Sequence, residues 1–359
     1  MTGRERFLAT IKGGAVDRFF RYEHGPWPTT RLRWIDEGYP AEVDFREYFD
    51  MDPLVRLAVN SGFTSTAYQP RFERRVIERA DGHEVVEDAD GVTKKILVSR
   101  GDTSMPQFIR FPVQTRDDWT AVRTRLNPED ADERIGDVDH LKRTCDDPDV
   151  PVLLPICGAY GQARNLFGEE NLAYLIYDDP ALLEEVLDNW LALYIQLFTR
   201  LTEHVRVDAV MVWEDMCFKN GPLMSPAHVR RFMMPRYRTL IDHARACGIP
   251  GIVVDTDGDC RKLIPLFLEV GVDGLMPFEV QAGMDVTELA EAYPQMFVMG
   301  GLDKRALAVD REVIEAEVDR VVPAFLERGR FMPCLDHTVP PNVSLEHFEF
   351  YLECLRSYE

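Results

Sequence analysis

The chain has 359 residues, of which 45% are hydrophobic and 29% charged, a globular composition that allows one large domain or two ordinary ones. The formal net charge of −21 argues against a nucleic-acid partner, because phosphate contacts need a basic face. No apolar run approaches the roughly 18 residues of a membrane span, and the start MTGRERFLATIKGG is too charged for a signal peptide, so we expect a cytoplasmic protein with no membrane partner.

The first 120 residues carry two different patterns. Up to residue 38, the sequence predicts a helix over 4–12, a strand over 16–23 and a helix over 29–38. Farther on, alternating polar and apolar runs are separated by Asp-Gly pairs, which favour β-hairpins. These runs cover 72–79, 84–88 and 92–99, with turns at 81–82 and 90–91, and the stretch 104–108 then leads into a loop. We therefore expect an antiparallel meander near 70–100, within an insertion over about 60–115.

From residue 150, short apolar runs alternate with helical stretches. The apolar runs occupy 151–155, 207–212, 252–254, 272–276, 296–299 and 330–332. The predicted helices cover 171–202, 226–246, a stretch ending at 268, 286–292, 312–327 and 345–357. This alternation predicts a parallel sheet covered by helices. Six units, with one or two more from the first 60 residues, predict an α/β fold, a (β/α)₈ TIM barrel, as one domain over 1–359. A doubly wound sheet is the alternative, but the nucleotide-binding motifs GxGxxG and GxxxxGK[ST] are absent.

Polar residues follow the apolar runs, at the strand ends where barrel enzymes have their active sites. The clearest are Asp255 and Asp257, because two carboxylates after a buried strand need a cation, hydrogen bonds or a ligand. A turn at Asp257-Gly258 is the alternative for this stretch. The other strand ends carry Tyr160, Glu214, Asp215, Glu279, Asp303, Lys304, Cys334, Asp336 and His337.

If the barrel forms, these groups converge, and crowded carboxylates raise one another's pKa. A helix cap or a loop hydrogen bond is the alternative for each of them. That alternative explains Asp303 well, but it explains Glu214, Asp257 and His337 less well, since these are not usual caps. Cys334 alone is more often a small core residue than a ligand. The seven cysteines are scattered and include no CxxC, which argues against disulfides and against a zinc ribbon.

Three stretches, VDTDGDCRKLIPLFLEVGVDGLMPFEV, GGLDKRAL and DHTVPPNVSLEHFEFYLECLR, resemble the uroporphyrinogen decarboxylase superfamily, as does WEDMCFKNGPLMSPAHVRRFMMPRYRTLI. The resemblance covers most of the chain and is strongest from about 205 to 356. This superfamily includes uroporphyrinogen decarboxylases and zinc methyltransferases that exchange methyl groups with corrinoid proteins. The resemblance implies a TIM barrel, in agreement with the strand pattern, and a homodimer.

The sequence departs from both branches. The decarboxylases carry an MRQAGR motif that grips the substrate's carboxylates, whereas this chain reads FFRYEHGPWPTTRLRW there, although His337 matches a histidine of that branch. The methyltransferases carry an HxC motif and a later Cys, and this chain has Asp255-Thr256-Asp257 and His337 instead. The resulting candidate metal ligands are Asp255, Asp257, His337 and Glu214, with Cys334 nearby. This harder donor set could hold a divalent metal, zinc included, or none.

The resemblance implies a methyltransferase acting between a small-molecule O- or N-methyl donor and a corrinoid carried by a partner protein. Asp257, His337 and Glu214 would be catalytic, because they could bind a cation or protonate the leaving heteroatom. The residues expected to bind substrate are His24, Tyr160, Asp215, Glu279 and Asp303. The alternatives are a metal-free decarboxylase of uroporphyrinogen or a related acid, and a tetrapyrrole-binding protein without catalysis.

Overall fold

The computed structural model describes residues 1–80, 82–98 and 106–359. Its strands, in chain order, are Val55–Arg56 (β1), Arg75–Ala80 (β2), His83–Glu87 (β3), Thr93–Leu97 (β4), Gln107–Arg110 (β5), Val152–Cys157 (β6), Ala209–Trp213 (β7), Cys217–Phe218 (β8), Gly221–Pro222 (β9), Gly251–Asp255 (β10), Gly274–Met276 (β11), Phe297–Met299 (β12) and Phe331–Met332 (β13). Its α-helices are Gly3–Lys12 (α1), Pro28–Asp36 (α2), Phe45–Tyr48 (α3), Arg116–Val122 (α4), Ala131–Ile135 (α5), Val138–Thr144 (α6), Ala159–Phe167 (α7), Glu169–Asp178 (α8), Pro180–Thr202 (α9), Pro226–His228 (α10), Met234–Ala246 (α11), Ile264–Glu269 (α12), Val286–Ala292 (α13), Arg311–Val321 (α14), Pro323–Leu326 (α15) and Leu345–Arg356 (α16).

A curled parallel sheet forms the centre of the molecule, with strand order β1-β6-β7-β10-β11-β12-β13. The prediction of an α/β barrel-like fold is therefore confirmed, and the six predicted apolar runs are six of its strands. The register places Cys157 beside Trp213 and Trp213 beside Asp255. The residues that follow these strands consequently start from one edge of the sheet, as expected for parallel strands.

The strand predicted over 16–23 is wrong, because this stretch forms no strand in the structure. Alternate apolar side chains of this stretch nevertheless point inward, since Phe20 and Tyr22 are buried inside the barrel. The backbone N–H of Arg21 donates to the side chain of Asp52 at 2.8 Å, and the N–H of Asp52 donates back to the Arg21 carbonyl at 3.0 Å. A carboxylate thus takes the place of a strand partner here, and β1 forms the edge of the sheet.

Side chains of the parallel strands alternate between the barrel interior and the surrounding helices. In β10, for example, Val253 faces the interior, whereas Ile252 and Val254 pack in the layer under the helices. Helix α1 closes the bottom of the barrel, because its Phe7 and Ile11 join the interior cluster.

The insertion is an antiparallel sheet of order β2-β3-β4-β5, which confirms the predicted meander. The fourth strand, Gln107–Arg110, was not predicted, because the stretch 104–108 was expected only to lead into a loop. Four residues after a proline are too short a run to give a clear alternating pattern. Asp81 of the predicted turn, Ser99 at the end of the third run and residues 104 and 105 lie outside the described residues.

Proline marks the places where predicted helices are interrupted. The helix predicted over 171–202 is two helices, because Asp179 caps α9 and Pro180 occupies its first position. The helix predicted over 312–327 is likewise divided at Pro323. In the helix over 226–246 a π turn, Val229–Met233, precedes Pro235, which lacks the N–H for an α-helical bond. Among the described residues, none of the helices is both long and apolar enough to cross a membrane.

Candidate functional site

A cavity of about 300 Å³, called here the inner cavity, opens at the carboxyl ends of the barrel strands. It brings together four residues that the sequence predicted as ligands or substrate contacts, namely His24, Asp255, Asp257 and His337. The remaining lining residues are Tyr22, Arg56, Phe63, Thr64, Met211, Trp213, Met276, Pro277 and Thr338. The polar residues at the strand ends therefore predict where the cavity lies, but they include only some of the residues that line it.

Asp257 and His337 face each other in this cavity, with Oδ2 of the acid 3.9 Å from Nε2 of the imidazole. The backbone N–H of Thr338 donates to His337 Nδ1 at 2.8 Å. A neutral His337 therefore carries its proton on Nε2, the nitrogen that faces Asp257. The ring stacks against His24 and Trp27, each at 6.4 Å between centroids, and burial lowers the pKa of His337.

Both aspartates of the inner cavity hold their protons more tightly than an exposed aspartate. Burial raises the pKa of Asp257 to about 7, and the neighbouring charges of Glu279 and Asp215 act in the same direction. Burial also raises the pKa of Asp255 well above its usual range, with Asp257 contributing next. No described residue donates a hydrogen bond to the Asp255 carboxyl group or forms an ion pair with it. Asp257 can therefore donate a proton near neutral pH.

Arg56 is a functional candidate that the sequence did not predict. It ends β1 and lines the inner cavity, and its guanidinium carbon lies 5.3 Å from the ring centroid of Phe63. Within the part of the chain that the structure describes, its guanidinium has no hydrogen-bond or ion-pair partner. Its position in the sequence could have identified it, since Arg56 directly follows an apolar run, as the polar residues at the other strand ends do.

Glu214 lies outside the inner cavity and is fully buried. Its Oε1 accepts hydrogen bonds from the Ala159 N–H at 3.0 Å and from the Tyr237 hydroxyl, and its Oε2 accepts from the Gly161 N–H at 2.9 Å. Burial raises the pKa of Glu214 to about 7, against these hydrogen bonds. This geometry is that of an anchor for the start of α7. Catalysis or metal binding by Glu214 stays a prediction.

Four more predicted residues also have their own partners or lie away from the inner cavity. Tyr160 is buried in α7, and Asp303 is held by Arg305 at 2.7 Å. Glu279 accepts from the Gly258 N–H at 3.1 Å. Cys334 is buried in the barrel, 3.9 Å from Nε2 of His24, and burial raises the pKa of its thiol. Their roles in substrate or metal binding stay predictions.

A buried ion pair supports the loops that carry the Asp257–His337 pair. Asp336 is fully buried and accepts from the Lys304 Nζ at 3.2 Å, the Lys304 N–H at 3.1 Å and the Val280 N–H at 2.9 Å. The same ammonium lies 4.0 Å from Glu279. The loops after β11, β12 and β13 are therefore tied together directly behind His337.

A second cavity of about 530 Å³, the outer cavity, lies between the insertion and the barrel. It adjoins the inner cavity, because Thr64 and Trp213 line both. Phe108 and Phe111 give it an apolar wall, and its charged residues are Asp90, Lys94, Arg164, Glu169 and Asp215. Arg164 is paired with Asp215 at 2.7 Å, which places that predicted substrate contact in the outer cavity.

The predicted metal ligands do not fit a metal ion as they are placed. Among the described residues, no three His, Cys, Asp or Glu side chains converge closely enough to hold one. Glu214 is committed to three donors, and the lone pair of His337 Nδ1 accepts from the Thr338 backbone N–H.

Elemental analysis of the purified protein tests the divalent-metal prediction, zinc included. Because the ligands do not converge, we expect well under one equivalent of any divalent metal, both in the wild type and in His337→Ala. One equivalent in the wild type that is lost in the variant would instead support the predicted ligand set.

Glu23 is a buried acid behind the site that the sequence did not predict. Its Oε1 accepts from the Tyr351 hydroxyl at 2.7 Å, and its Oε2 accepts from the Leu335 N–H at 3.2 Å, next to Asp336 and His337. Burial raises the pKa of Glu23 to about 8. Because the pKa of this carboxyl group is higher in the folded protein than in the unfolded chain, where it is near 4.3, the protonated group stabilises the fold. This contribution is complete below about pH 4.3 and is lost as the pH rises through 8.

Glu23→Gln is therefore expected to flatten the loss of stability between pH 5 and pH 9. The amide oxygen can accept from the Leu335 N–H, the amide NH₂ can donate to the Tyr351 hydroxyl oxygen, and the group has no proton to lose. Urea unfolding of both proteins at pH 5.5 and pH 8.5 measures the effect. An equal loss of stability in the two proteins would show that Glu23 does not titrate in this range.

Known proteins resemble this chain in sequence and in fold. A family model described as uroporphyrinogen decarboxylase (URO-D) matches residues 95–358. Two curated proteins named uroporphyrinogen decarboxylase are similar to the chain. The one from Hydrogenobaculum sp. is 25% identical over 89 residues, which is 25% of each chain. The one from Geobacter sp. is 26% identical over 136 residues, which is 38% of each chain. The aligned parts thus span well under half the length of these relatives.

Among solved structures, a methyltransferase from Methanosarcina mazei has the same fold. The two superpose with a TM-score of 0.65 over 100% of this chain and 99% of that chain. Their sequences are 15% identical, so this likeness concerns the fold.

Proposed function

Because the chain belongs to the uroporphyrinogen decarboxylase family, whose members are enzymes, we propose that it is a methyltransferase. It would move a methyl group between a small O- or N-methyl donor and a corrinoid carried by a partner protein. The observation that carries the proposal is the Asp257–His337 pair in a small, acid-rich cavity. The structure with the matching fold is named a methyltransferase, which supports this class.

The charges of the two cavities disfavour a substrate with many carboxylates. Their acids are Asp90, Glu169, Asp215, Asp255 and Asp257, and their cations are Arg56, Lys94 and Arg164. Two of these cations are already paired, Lys94 with Asp90 and Arg164 with Asp215. A porphyrinogen would bring further negative charge into this acidic environment without enough partners. A compact donor that is neutral, cationic or zwitterionic suits it better.

The chemistry needs an acid at the leaving heteroatom. The carbon–heteroatom bond breaks, its electron pair stays on the heteroatom, and the methyl carbon bonds to the reduced corrinoid, which supplies the other electron pair. An alkoxide or amide ion is a poor leaving group, so a proton must reach the heteroatom as the bond breaks. Protonated Asp257 would donate that proton, and His337 Nε2–H would stabilise the carboxylate that remains.

A spectroscopic assay tests the proposal. The purified protein is mixed anaerobically with reduced free cobalamin and, separately, with methoxylated aromatics and methylamines, including N-methylated amino acids. We expect protein-dependent conversion of the reduced corrinoid into methylcobalamin with one class of donor, seen in the visible spectrum. No conversion with any donor, together with release of carbon dioxide from uroporphyrinogen without corrinoid, would overturn it in favour of a decarboxylase.

The decarboxylase is kept as a second candidate because of Arg56. An unpaired guanidinium in the cavity could hold a substrate carboxylate, and both curated relatives carry that name. If the protein bound corrinoid or porphyrin tightly but catalysed neither methyl transfer nor decarboxylation, the result would favour a tetrapyrrole-binding protein without catalysis.

A further inference from the structure

We infer that the inner cavity is built for a zwitterion, specifically an N-methylated amino acid with its ammonium and carboxylate a few bonds apart. The inference rests on the proposed function and names the class of methyl donor. It depends on the juxtaposition of two carboxyl groups, one unpaired guanidinium and aromatic rings around a space of about 300 Å³.

The cationic end of such a donor has partners among the residues that line the cavity. The carboxyl groups of Asp255 and Asp257 are two residues apart, and both line the space. Tyr22, Phe63 and Trp213 add aromatic rings to the lining, with Arg56 over the Phe63 ring and Arg164 over the Trp213 ring. A methylated ammonium is weakly hydrated and is attracted to ring faces and to carboxylates, so these groups together suit it better than they suit a neutral ether.

The anionic end has a partner in Arg56. The guanidinium is rigid, always charged and able to grip a carboxylate with two parallel hydrogen bonds. Contact with the Phe63 ring at 5.3 Å orients it without using its N–H donors. Most arginines of the described chain are paired with acids or with backbone carbonyls, for example Arg164 with Asp215, whereas Arg56 has no such contact and is exposed at the cavity.

The charges balance in this arrangement. The donor carboxylate neutralises Arg56, and the ammonium neutralises one ionised aspartate, which leaves the other aspartate protonated. A quaternary nitrogen departs as a neutral amine and takes up no proton when its methyl carbon moves to the reduced corrinoid. A tertiary amine donor binds in its ammonium form, so it already carries the proton with which it departs as a neutral secondary amine.

Binding measurements with matched ligands test the inference. Isothermal titration calorimetry compares trimethylglycine with 3,3-dimethylbutanoate, in which carbon replaces the charged nitrogen. It also compares trimethylglycine with choline, which has a hydroxyl group in place of the carboxylate. We expect trimethylglycine to bind at least about tenfold tighter than either analogue, since each analogue leaves one charged group of the cavity unpaired.

Variants assign the two ends of the ligand. Arg56→Gln is expected to weaken trimethylglycine binding at least about tenfold and choline binding less than about twofold, because choline makes no ion pair with Arg56. Asp255→Asn is expected to weaken both cations while sparing 3,3-dimethylbutanoate. Arg143→Gln, an exposed arginine on α6, is the matched control and should leave all affinities unchanged.

Two results would overturn the inference: equal binding of trimethylglycine and 3,3-dimethylbutanoate, or no binding of any of the three ligands. Either result, obtained with a protein that methylates cobalamin from a methoxylated aromatic, would leave the proposed function standing. Selective binding of trimethylglycine without methyl transfer from any donor would support the zwitterion site and contradict the methyltransferase.

Discussion

Asp257→Asn is expected to lower kcat for methyl transfer from an ether by about 10²- to 10⁴-fold, the usual contribution of a general acid. The amide has the shape of the acid but no proton to give. In the wild type, the same kcat should fall as the pH rises through about 7, because Asp257 loses its proton there. Stopped-flow spectroscopy of corrinoid methylation measures both effects.

Two comparisons distinguish loss of the proton donor from a general effect of removing an acid. Asp259→Asn is the matched control, since that acid pairs with Arg261 at 2.7 Å and lies outside the inner cavity. A quaternary donor needs no proton, so its kcat should fall much less in Asp257→Asn than that of an ether. Unchanged kcat with ethers would show that Asp257 is not the acid.

Asp208→Ala is expected to lower the free energy of unfolding by about 3 to 5 kcal/mol, the usual effect of breaking a buried ion pair. Asp208 is fully buried at the bottom of the barrel. It accepts from Arg4 at 2.8 Å, from Arg206 at 3.1 Å and from the Val152 N–H at 2.9 Å. The variant leaves two guanidinium groups and a strand N–H without their acceptor. Urea unfolding with a fixed m-value measures the loss.

Asp132→Ala is the matched control for this experiment. That acid also binds an arginine, Arg200, at 3.0 Å, but its side chain is 61% exposed. Solvent screening should limit its effect to less than about 1 kcal/mol. Similar losses in the two variants would contradict the view that burial makes Asp208 important.

The fold was predictable where a local pattern and its tertiary surroundings agree. Buried parallel strands need continuous apolar runs, and six such runs alternate with helices, so the central sheet followed from the sequence. The stretch over 16–23 has a strand-like pattern and an interior position, but the side chain of Asp52 binds its backbone. A long-range side-chain contact of this kind leaves no local signal.

The site was predictable to the extent that strand ends determine position. The strand ends do not determine the direction in which each side chain points, and this explains why Glu214 lies outside the inner cavity. Side chains alternate along an extended chain, so Trp213 and Asp215 face the cavities while Glu214 points toward α7. The same alternation puts Asp255 and Asp257 together in the cavity and buries Thr256. Arg56 and Glu23 lie in the first 60 residues, ahead of the alternating runs from residue 150 onward whose ends supplied the predicted site residues.

The position of α1 has a consequence for synthesis. This helix closes the bottom of a barrel whose last strand, β13, ends at Met332, and it contacts β10, β12 and β13. At about 5 to 20 residues per second, β13 is translated roughly 15 to 65 s after α1. During that interval the apolar face of Phe7 and Ile11 has no completed barrel to cover it. The nascent chain therefore leaves the apolar side chains of this segment uncovered until β13 has been made, and a chaperone that binds exposed apolar segments would have a binding site there.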